Sequence, residues 1–340
     1  MTSPRGHLLG STDAPLQEVY DVAVLDLDGV VYRSREAVPG APEALNAAQS
    51  GGMHLAFVTN NASRPPSTVG DHLRELGVDA RDEDVVNSAQ AAARLLSGQV
   101  PAGSRVFLIG GRGLDEALRE RGLEPVTDLD ADDVVAVVQG YGPDLVWKQV
   151  MRGASLVHQG LPWVASNTDM TIPTATGVAP GNGALVRLIA EFAEREPQVA
   201  GKPQPPLFEE TLRRVGGERP LVVGDRLDTD IEGAVTMGWP SLLVLTGVTG
   251  LEELVAARPQ ERPTYVAPDL AALAEAQPGV EETDEGARVG GWTAGVEDGS
   301  LQVTGEGADA DWWRAVAVAA WRHLDAHGTP VATDGVSAPE

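Results

Sequence analysis

Two carboxylates, those of Asp26 and Asp28, lie inside the apolar stretch "VAVLDLDGVVYR". Residues i and i+2 of an extended chain point the same way, so both side chains share one face as the strand ends. Two carboxylates a few ångströms apart ionise together at low cost only when a cation lies between them. Mg²⁺ fits, because it prefers oxygen ligands and also accepts phosphate oxygens. A solvated Asp-Gly turn explains the pair equally well from these residues alone.

A second group of acids follows another apolar stretch, "LVVGDRLDTDIEGA". Leu221–Val223 reads as a buried strand, and Asp225, Asp228 and Asp230 come directly after it. Three acids in six residues would repel one another at a buried strand end unless a cation were present. One of them could cap the helix that follows. The remaining two are better explained as ligands of a metal ion and as their support.

Two further turns carry groups that suit a phosphate. Thr59 and Asn60 in "FVTNNAS" offer a hydroxyl, an amide and backbone N–H groups, although a plain loop has the same composition. The chain contains only two lysines, Lys148 and Lys202. Lys202 lies in the rigid turn "VAGKPQPPLF", which favours an ammonium group that faces a phosphate and a carboxylate. Lys148 follows a helical pattern and is predicted to be solvated.

The elements that position these residues alternate between short apolar strands and helical patterns. Such alternation predicts an α/β protein with a parallel sheet that is buried on both faces. Ligands of parallel sheets bind beyond the carboxyl ends of the strands. The polar turns are therefore expected to lie at that edge.

Charge and composition exclude several classes of function. The net charge of −25 argues against nucleic acids and anionic membranes as partners. The chain has no cysteine, which excludes disulfides, thiolate catalysis and Cys-ligated metals. No apolar run is long enough to span a membrane, and the first residues lack the apolar core of a signal peptide. A cytoplasmic location is expected.

The two ends of the chain read as additions to the main body. Residues 1–16 are predicted to be a flexible leader, and residues 277–340 a linker plus a small ββα unit with a hairpin turn at Asp298–Gly299. Four of the seven tryptophans lie in this tail, at positions 292, 312, 313 and 321. Because a ββα unit of this size cannot bury them alone, the tail is expected to dock on the main body or on another subunit.

Taken in order, "DLDGVVYR", "TNNAS", "GKP" and "GDRLDTDIEGA" resemble the four motifs of the haloacid dehalogenase (HAD) superfamily of phosphohydrolases. About 140 residues separate "TNN" from "GKP", which is room for the large α/β cap of the p-nitrophenyl phosphatase/phosphoglycolate phosphatase-like branch. The resemblance implies a Rossmann-like parallel-sheet core over residues 17–98 and 196–276. Residues 99–195 would form the inserted α/β cap that selects the substrate.

The resemblance also implies the role of each acid. Asp26 would be the nucleophile that forms an aspartyl-phosphate, and Asp28 the general acid and base. Mg²⁺ would be held by Asp26, by the backbone carbonyl of Asp28 and by Asp225. Asp230 would orient metal-bound water or Lys202 without binding the metal itself.

The phosphate and substrate contacts are carried over in the same way. Thr59, Asn60 and Lys202 would bind the transferring phosphoryl group. In the cap, Asn167 and Asp169 follow the apolar "LPWVA" strand and are the candidates for contacting substrate hydroxyls.

The substrate implied by the resemblance is a small phosphorylated metabolite. A subgroup of the branch that acts on D-glycerol 3-phosphate is similar in its tail and in "GDRLDTDIEGA", so glycerol 3-phosphate comes first and 2-phosphoglycolate second. Vitamin B6 phosphatases of the branch carry a histidine where this chain has Ile172, which disfavours pyridoxal phosphate. Nucleotide or sugar phosphates, a catalytically silent phosphate-binding protein and a homodimer remain open alternatives. A receiver domain is disfavoured, because the paired acids here begin the fold.

Overall fold

The computed structural model describes residues 8–174, 177–284 and 286–339, and residues 1–7 of the predicted leader lie outside this range. The chain divides into two compact units. The first unit comprises residues up to Leu55, Leu76–Val78 and residues from Gly217 onward; the second comprises Ala56–Glu75 and Asp79–Gly216. Within the described residues, no helix is both long and apolar enough to cross a bilayer.

The first unit is built on parallel strands, as the alternating pattern predicts. The strands follow the order Tyr265–Ala267, Ser241–Val244, Pro220–Gly224 and Val22–Leu25, each parallel to its neighbour. All four are fully buried, which explains their continuous apolar sequences. The α-helices of this unit are Leu16–Val19, Ala41–Ser50, Glu232–Met237, Leu251–Val255 and Asp309–His327, and its short 3₁₀ helices are Pro259–Glu261 and Leu270–Ala274. A small antiparallel ribbon pairs Tyr32–Arg33 with Glu36–Ala37.

Residues 8–16 are packed rather than loose, so the predicted leader is wrong over this part of its length. The N–H of Gly10 donates to the carbonyl of Thr264 at 2.8 Å, and the N–H of Thr12 donates to the carbonyl of Gln277 at 2.9 Å. Leu9 and Leu16 are buried. Backbone pairing of this kind cannot be predicted from a short polar sequence.

The C-terminal tail contains two more strands than the predicted ββα unit. Its antiparallel sheet has four strands in sequence order: Glu281–Glu282, Gly286–Val289, Trp292–Glu297 and Ser300–Gly305. The predicted hairpin turn is confirmed, because Glu297 pairs with Ser300 and both intervening residues, Asp298 and Gly299, have positive φ. The helix Asp309–His327 then ends at Gly328, which adopts the left-handed conformation.

The tail docks within the first unit, as its tryptophans predict. Trp312, Trp313 and Trp321 of the tail helix are buried in one hydrophobic cluster with Leu254 and Val266 of the unit. The Trp321 indole Nε1–H also donates to the carbonyl of Leu254 at 2.7 Å. The tail is thus part of the core of this unit.

The second unit contains a parallel five-stranded sheet in the order Gln198–Val199, Trp163–Ala165, Val134–Gln139, Arg105–Ile109 and Glu124–Val126. The strand His54–Thr59 runs into this unit along the chain and pairs there with Val85–Asn87. Thr171–Thr174 and Gly177–Pro180 form an antiparallel ribbon. The α-helices are Pro66–Glu75, Ser88–Ser97, Arg112–Glu120, Trp147–His158, Asn182–Ala193 and Pro205–Val215, and Asp82–Asp84 is a 3₁₀ turn.

We expect Trp321→Ala to lower the free energy of unfolding by about 3–5 kcal/mol, because the substitution leaves a cavity and an unpaired carbonyl in the core. Urea denaturation measures this loss. Trp147→Ala is the matched control, since Trp147 is 59% exposed, and we expect it to change stability by about 0.5 kcal/mol or less. Equal losses for the two variants would contradict the docking of the tail.

Candidate active site

The first acid follows the buried strand Val22–Leu25. The N–H of Asp26 still donates to the carbonyl of Val223 at 2.8 Å, which continues the hydrogen-bonding ladder by one residue and fixes the start of the turn. Gly29 has φ +89, and a Cβ there would lie 2.5 Å from Oδ2 of Asp225. Only glycine allows the turn to pass this close to the second acidic segment.

The second acidic segment begins at the end of the neighbouring strand, Pro220–Gly224. The N–H of Ile231 donates to the carbonyl of Arg226, five residues earlier, so Leu227–Ile231 forms one wide π turn. This turn buries Asp230 together with Asp225. The predicted alternative of an N-cap is not observed, because Oδ2 of Asp230 accepts the N–H of Arg226 at 3.2 Å and no side chain caps the helix Glu232–Met237.

Three of the predicted acids come together. One carboxylate oxygen from each of Asp26, Asp225 and Asp230 lies within 4.8 Å of the other two. Asp225 and Asp230 are buried and Asp26 is half-buried. A Cβ at Gly247 would lie 1.8 Å from Oδ2 of Asp225, so the surrounding backbone is shaped around the carboxylates. Because such a group is costly without a cation, the three oxygens fit a hard divalent ion.

The other two acids of these segments lie outside this carboxylate group. Asp28 is exposed and its backbone bridges to Tyr32, so its side chain remains accessible to solvent. Asp228 is 59% exposed and forms an ion pair with Arg226 at 2.8 Å. The spacing of Asp225, Asp228 and Asp230 alone left open which of them would approach a metal, because the choice depends on the π turn. The resemblance to the family motifs had assigned Asp225 as a ligand and Asp230 as its support.

The predicted phosphate-binding residues lie in the second unit. The Asn60 Oδ1 accepts the N–H of Lys202 at 2.8 Å, and Asn60 Nδ2 donates to the carbonyl of Lys202 at 3.1 Å. This reciprocal pair fixes the Lys202 turn to the end of the strand His54–Thr59. Lys202 is 4% exposed, and Thr59 is also buried. A buried ammonium group requires polar or anionic neighbours, which distinguishes it from a solvated lysine.

The two candidates from the cap differ in their surroundings. Asn167 is buried, its Nδ2 donates to the carbonyl of Asn60 at 2.6 Å, and its Oδ1 accepts the N–H of Asp169 at 3.2 Å. The Nδ2 end of this amide thus holds the Asn60 loop, and its Oδ1 end fixes the backbone of Asp169. Asp169 is half-buried and its Oδ1 accepts from Asn60 Nδ2 at 3.1 Å. Contact of either residue with substrate hydroxyls stays a prediction.

Sequence reasoning missed several buried polar residues that support Asn60. The Oγ of Ser88 donates to the carbonyl of Asn60 at 2.5 Å. Asn182 Nδ2 donates to the carbonyl of Asn167 at 2.7 Å, and Gln139 Nε2 donates to Asn182 Oδ1 at 3.3 Å. A polar residue directly after an apolar run, such as Gln139 in "DVVAVVQG", was the sequence feature that could have indicated them.

The structure is that of an α/β protein in which three carboxylates, at the carboxyl ends of adjacent parallel strands, lie close enough together to hold a metal ion. Residues 23–124 match the family model described as haloacid dehalogenase-like hydrolase, and residues 199–273 match a HAD-hydrolase-like model. The chain is 40% identical to the D-glycerol 3-phosphate phosphatase of Mycobacterium tuberculosis over 327 residues, which cover 93% of this chain and 90% of that protein. The chain therefore belongs to the haloacid dehalogenase-like hydrolase family.

Other comparisons agree with this family. An acid sugar phosphatase of Staphylococcus aureus is 34% identical over 253 residues, covering 74% of this chain and 95% of the relative. The crystal structure of the M. tuberculosis glycerol phosphate phosphatase in complex with magnesium superposes with a TM-score of 0.82 at 40% identity, covering 91% of this chain and 92% of that one. A p-nitrophenyl phosphatase from Archaeoglobus fulgidus gives a TM-score of 0.69 at 29% identity, covering 75% and 98%. About a quarter of this chain has no counterpart in the latter protein.

We expect Mg²⁺ to raise the stability of the wild-type protein, because an ion that binds only the folded state relieves the repulsion among Asp26, Asp225 and Asp230. At about a hundredfold excess over Kd, the gain is about 3 kcal/mol. Asp225→Asn should remove most of this gain and should leave the protein in EDTA at least as stable as the wild type. Thermal unfolding with and without Mg²⁺ measures both effects.

Asp228→Asn is the matched control, since this exposed acid lies outside the group, and it should retain the full stabilisation by Mg²⁺. Equal stabilisation of the Asp225→Asn variant would contradict the metal centre.

Proposed function

We propose that this protein is a Mg²⁺-dependent phosphomonoester hydrolase that acts through a phosphoryl group carried transiently by Asp26. The observation that supports this most strongly is the group of three carboxylates at the ends of adjacent parallel strands. Two phosphatases that are 40% and 34% identical to this chain in sequence support the same reaction.

In the first step, a carboxylate oxygen of Asp26 attacks phosphorus and the ester P–O bond breaks. Asp28 gives its proton to the departing alkoxide oxygen of the bound ester, and its side chain is exposed rather than enclosed among the buried carboxylates. In the second step, Asp28 takes a proton from water as the water oxygen attacks phosphorus. The bond between phosphorus and Asp26 then breaks and inorganic phosphate leaves, which restores both acids.

The remaining residues bind and orient the phosphoryl group. Lys202 offsets its negative charge, and the Thr59 hydroxyl and the Asn60 loop contact its oxygens. When bound by Asp26, Asp225 and the carbonyl of Asp28, Mg²⁺ neutralises charge that develops on the phosphoryl group. Asp230 orients this arrangement, and its carboxylate is near enough to serve as a further ligand.

We propose glycerol 3-phosphate as the substrate, with Asn167 and Asp169 of the cap as the candidates for contacting its hydroxyls. The D-glycerol 3-phosphate phosphatase relative, 90% of whose length aligns with this chain, supports this choice over 2-phosphoglycolate. The acid sugar phosphatase relative keeps sugar phosphates as the second candidate class. We further propose a cytoplasmic enzyme whose cap spans residues 99–195.

A homodimer is a further proposal. Its support is the set of large apolar side chains that two helices of the second unit expose, namely Trp147, Met151, Leu188 and Phe192.

The reaction is tested by Asp26→Asn. We expect this variant to lose about a thousandfold or more in kcat, because a neutral amide cannot form the aspartyl-phosphate. Release of phosphate from p-nitrophenyl phosphate measures the loss. The control is Asp228→Asn, an acid-to-amide change in the neighbouring segment, which should keep activity within a few fold. An Asp26→Asn variant with wild-type activity would refute the proposed reaction and would leave a phosphate-binding protein as the alternative.

The substrate is tested by ranking phosphomonoesters by kcat/KM. We expect glycerol 3-phosphate to exceed 2-phosphoglycolate, pyridoxal phosphate, sugar phosphates and nucleoside monophosphates by about tenfold or more, which corresponds to about 1.4 kcal/mol of transition-state binding. A tenfold advantage for any other ester, at about 1.4 kcal/mol, would replace the proposed substrate but not the reaction.

A further inference from the structure

One fully buried carboxylate in the second unit is surrounded by four arginines. Glu210 lies on the helix Pro205–Val215, and its two oxygens accept hydrogen bonds from Arg94, Arg121, Arg213 and Arg214. The donor-to-acceptor distances run from 2.6 Å for Arg214 to 3.1 Å for Arg94. These five residues form the arginine cluster.

The arginine cluster carries more positive charge than its own acid balances. Four guanidinium groups meet one carboxylate, and in the described part of the chain these arginines form ion pairs with no acid other than Glu210. The five residues of the arginine cluster therefore have a net charge of +3, although the whole chain has a net charge of −25. Within about 8–10 Å such a local charge outweighs screened distant ones.

Three helices end at the arginine cluster, and their dipoles offset only part of this charge. Arg94 lies in the last turn of Ser88–Ser97, Arg213 and Arg214 lie in the last turn of Pro205–Val215, and Arg121 directly follows Arg112–Glu120. Each C-terminus contributes roughly half a negative charge. Three such ends cancel roughly half of the excess, so the cluster still attracts anions.

The guanidinium groups keep donors available for a ligand. Each carries five N–H groups, and only one or two of each donate to Glu210. The four side chains remain between 25% and 44% exposed. Burial acts to raise the pKa of Glu210, but the hydrogen bonds from Arg213, Arg214 and Arg94 outweigh it and lower that pKa to about 2. The carboxylate thus stays ionised at neutral pH and holds the arginine forks in place.

We propose that the arginine cluster binds a compact polyanion that carries adjacent phosphate groups. Planar guanidinium groups with available N–H donors bind phosphate oxygens well. Several guanidinium groups close together suit a ligand that carries several phosphates. A polyvalent ligand also gains more from the local charge than a monoanion does. The negative charge of the rest of the chain disfavours a nucleic acid or an anionic membrane, which would cover a larger surface.

The proposed site is distinct from the Lys202 turn. Pro205 begins the helix three residues after Lys202, and Arg213 lies at the other end of that helix. At 1.5 Å per residue, the two ends are separated by about 12 Å.

The test is calorimetric titration of the full chain in EDTA with inorganic tripolyphosphate, and with inorganic phosphate as the monomeric comparison. We expect one saturable binding event for tripolyphosphate. Inorganic phosphate should bind at least about tenfold more weakly. The paired substitution Arg94→Gln with Arg213→Gln should weaken tripolyphosphate binding by about tenfold or more, because two charged forks are lost.

Two matched controls separate this site from other sources of binding. Arg112→Gln with Arg119→Gln removes the same charge from exposed arginines that pair with Glu116 and Asp115, and should change Kd by less than about twofold. Lys202→Met should also leave Kd within about twofold, since it affects only the proposed catalytic phosphate site.

No saturable binding by the wild type, or an equal loss in the Arg112/Arg119 control, would overturn the proposal. Loss of binding in Lys202→Met alone would assign the binding to the catalytic site and would equally refute it. Circular dichroism checks the fold of each variant. If the Arg94/Arg213 pair does not fold, Arg94→Gln alone decides, with an expected weakening of about threefold.

Discussion

The repulsion among Asp26, Asp225 and Asp230 is the constraint on which the functional part of the structure depends. Three carboxylates with oxygens within 4.8 Å of one another are expensive in a buried setting. The fold accommodates them by ending two adjacent parallel strands at the same level and by placing Gly29 and Gly247 where any side chain would collide with Asp225. A divalent cation bound by these three carboxylates would offset their repulsion, which is why we propose a metal site at this position.

The tail is connected to this constraint through the hydrophobic core of the first unit. The π turn that buries Asp230 also contributes Leu227 and Ile231 to the cluster that contains Trp312 and Trp321 of the tail helix. A segment that holds mutually repelling acids needs firm apolar packing behind it. The tail is one part of that packing, which gives its tryptophans a physical role inside the unit.

Much of this arrangement was predictable from local sequence. The helices Ser88–Ser97 and Pro205–Val215 begin where local sequence fixes their starts, because Asn87 and Gln90 form a capping box and Pro205 occupies the first helical turn. The resemblance to the haloacid dehalogenase motifs assigned Asp26 and Asp225 to one metal ion. The rule that ligands bind beyond the carboxyl ends of parallel strands predicted that the acidic turns would lie at one edge of the sheet.

The rest depended on contacts that are distant in sequence. The π turn decides that Asp230, and not Asp228, joins the metal group, and no local pattern announces such a turn. The hydrogen bond from the Asn167 amide to the carbonyl of Asn60 could not be predicted, because the two residues are more than one hundred positions apart in the chain. Residues 8–16 resembled a loose leader because their partners, Thr264 and Gln277, lie at the other end of the first unit.

The central claim is that Asp26 carries the phosphoryl group during turnover. Rapid acid quench during hydrolysis of glycerol 3-phosphate, followed by proteolysis and mass spectrometry, tests it most directly. The account predicts one added phosphoryl group on Asp26 within the fragment that ends at Arg33, present only when Mg²⁺ is supplied and absent from Asp28 and Asp225. Steady release of phosphate with no modified fragment at any quench time, or with the modification on another residue, would contradict the account.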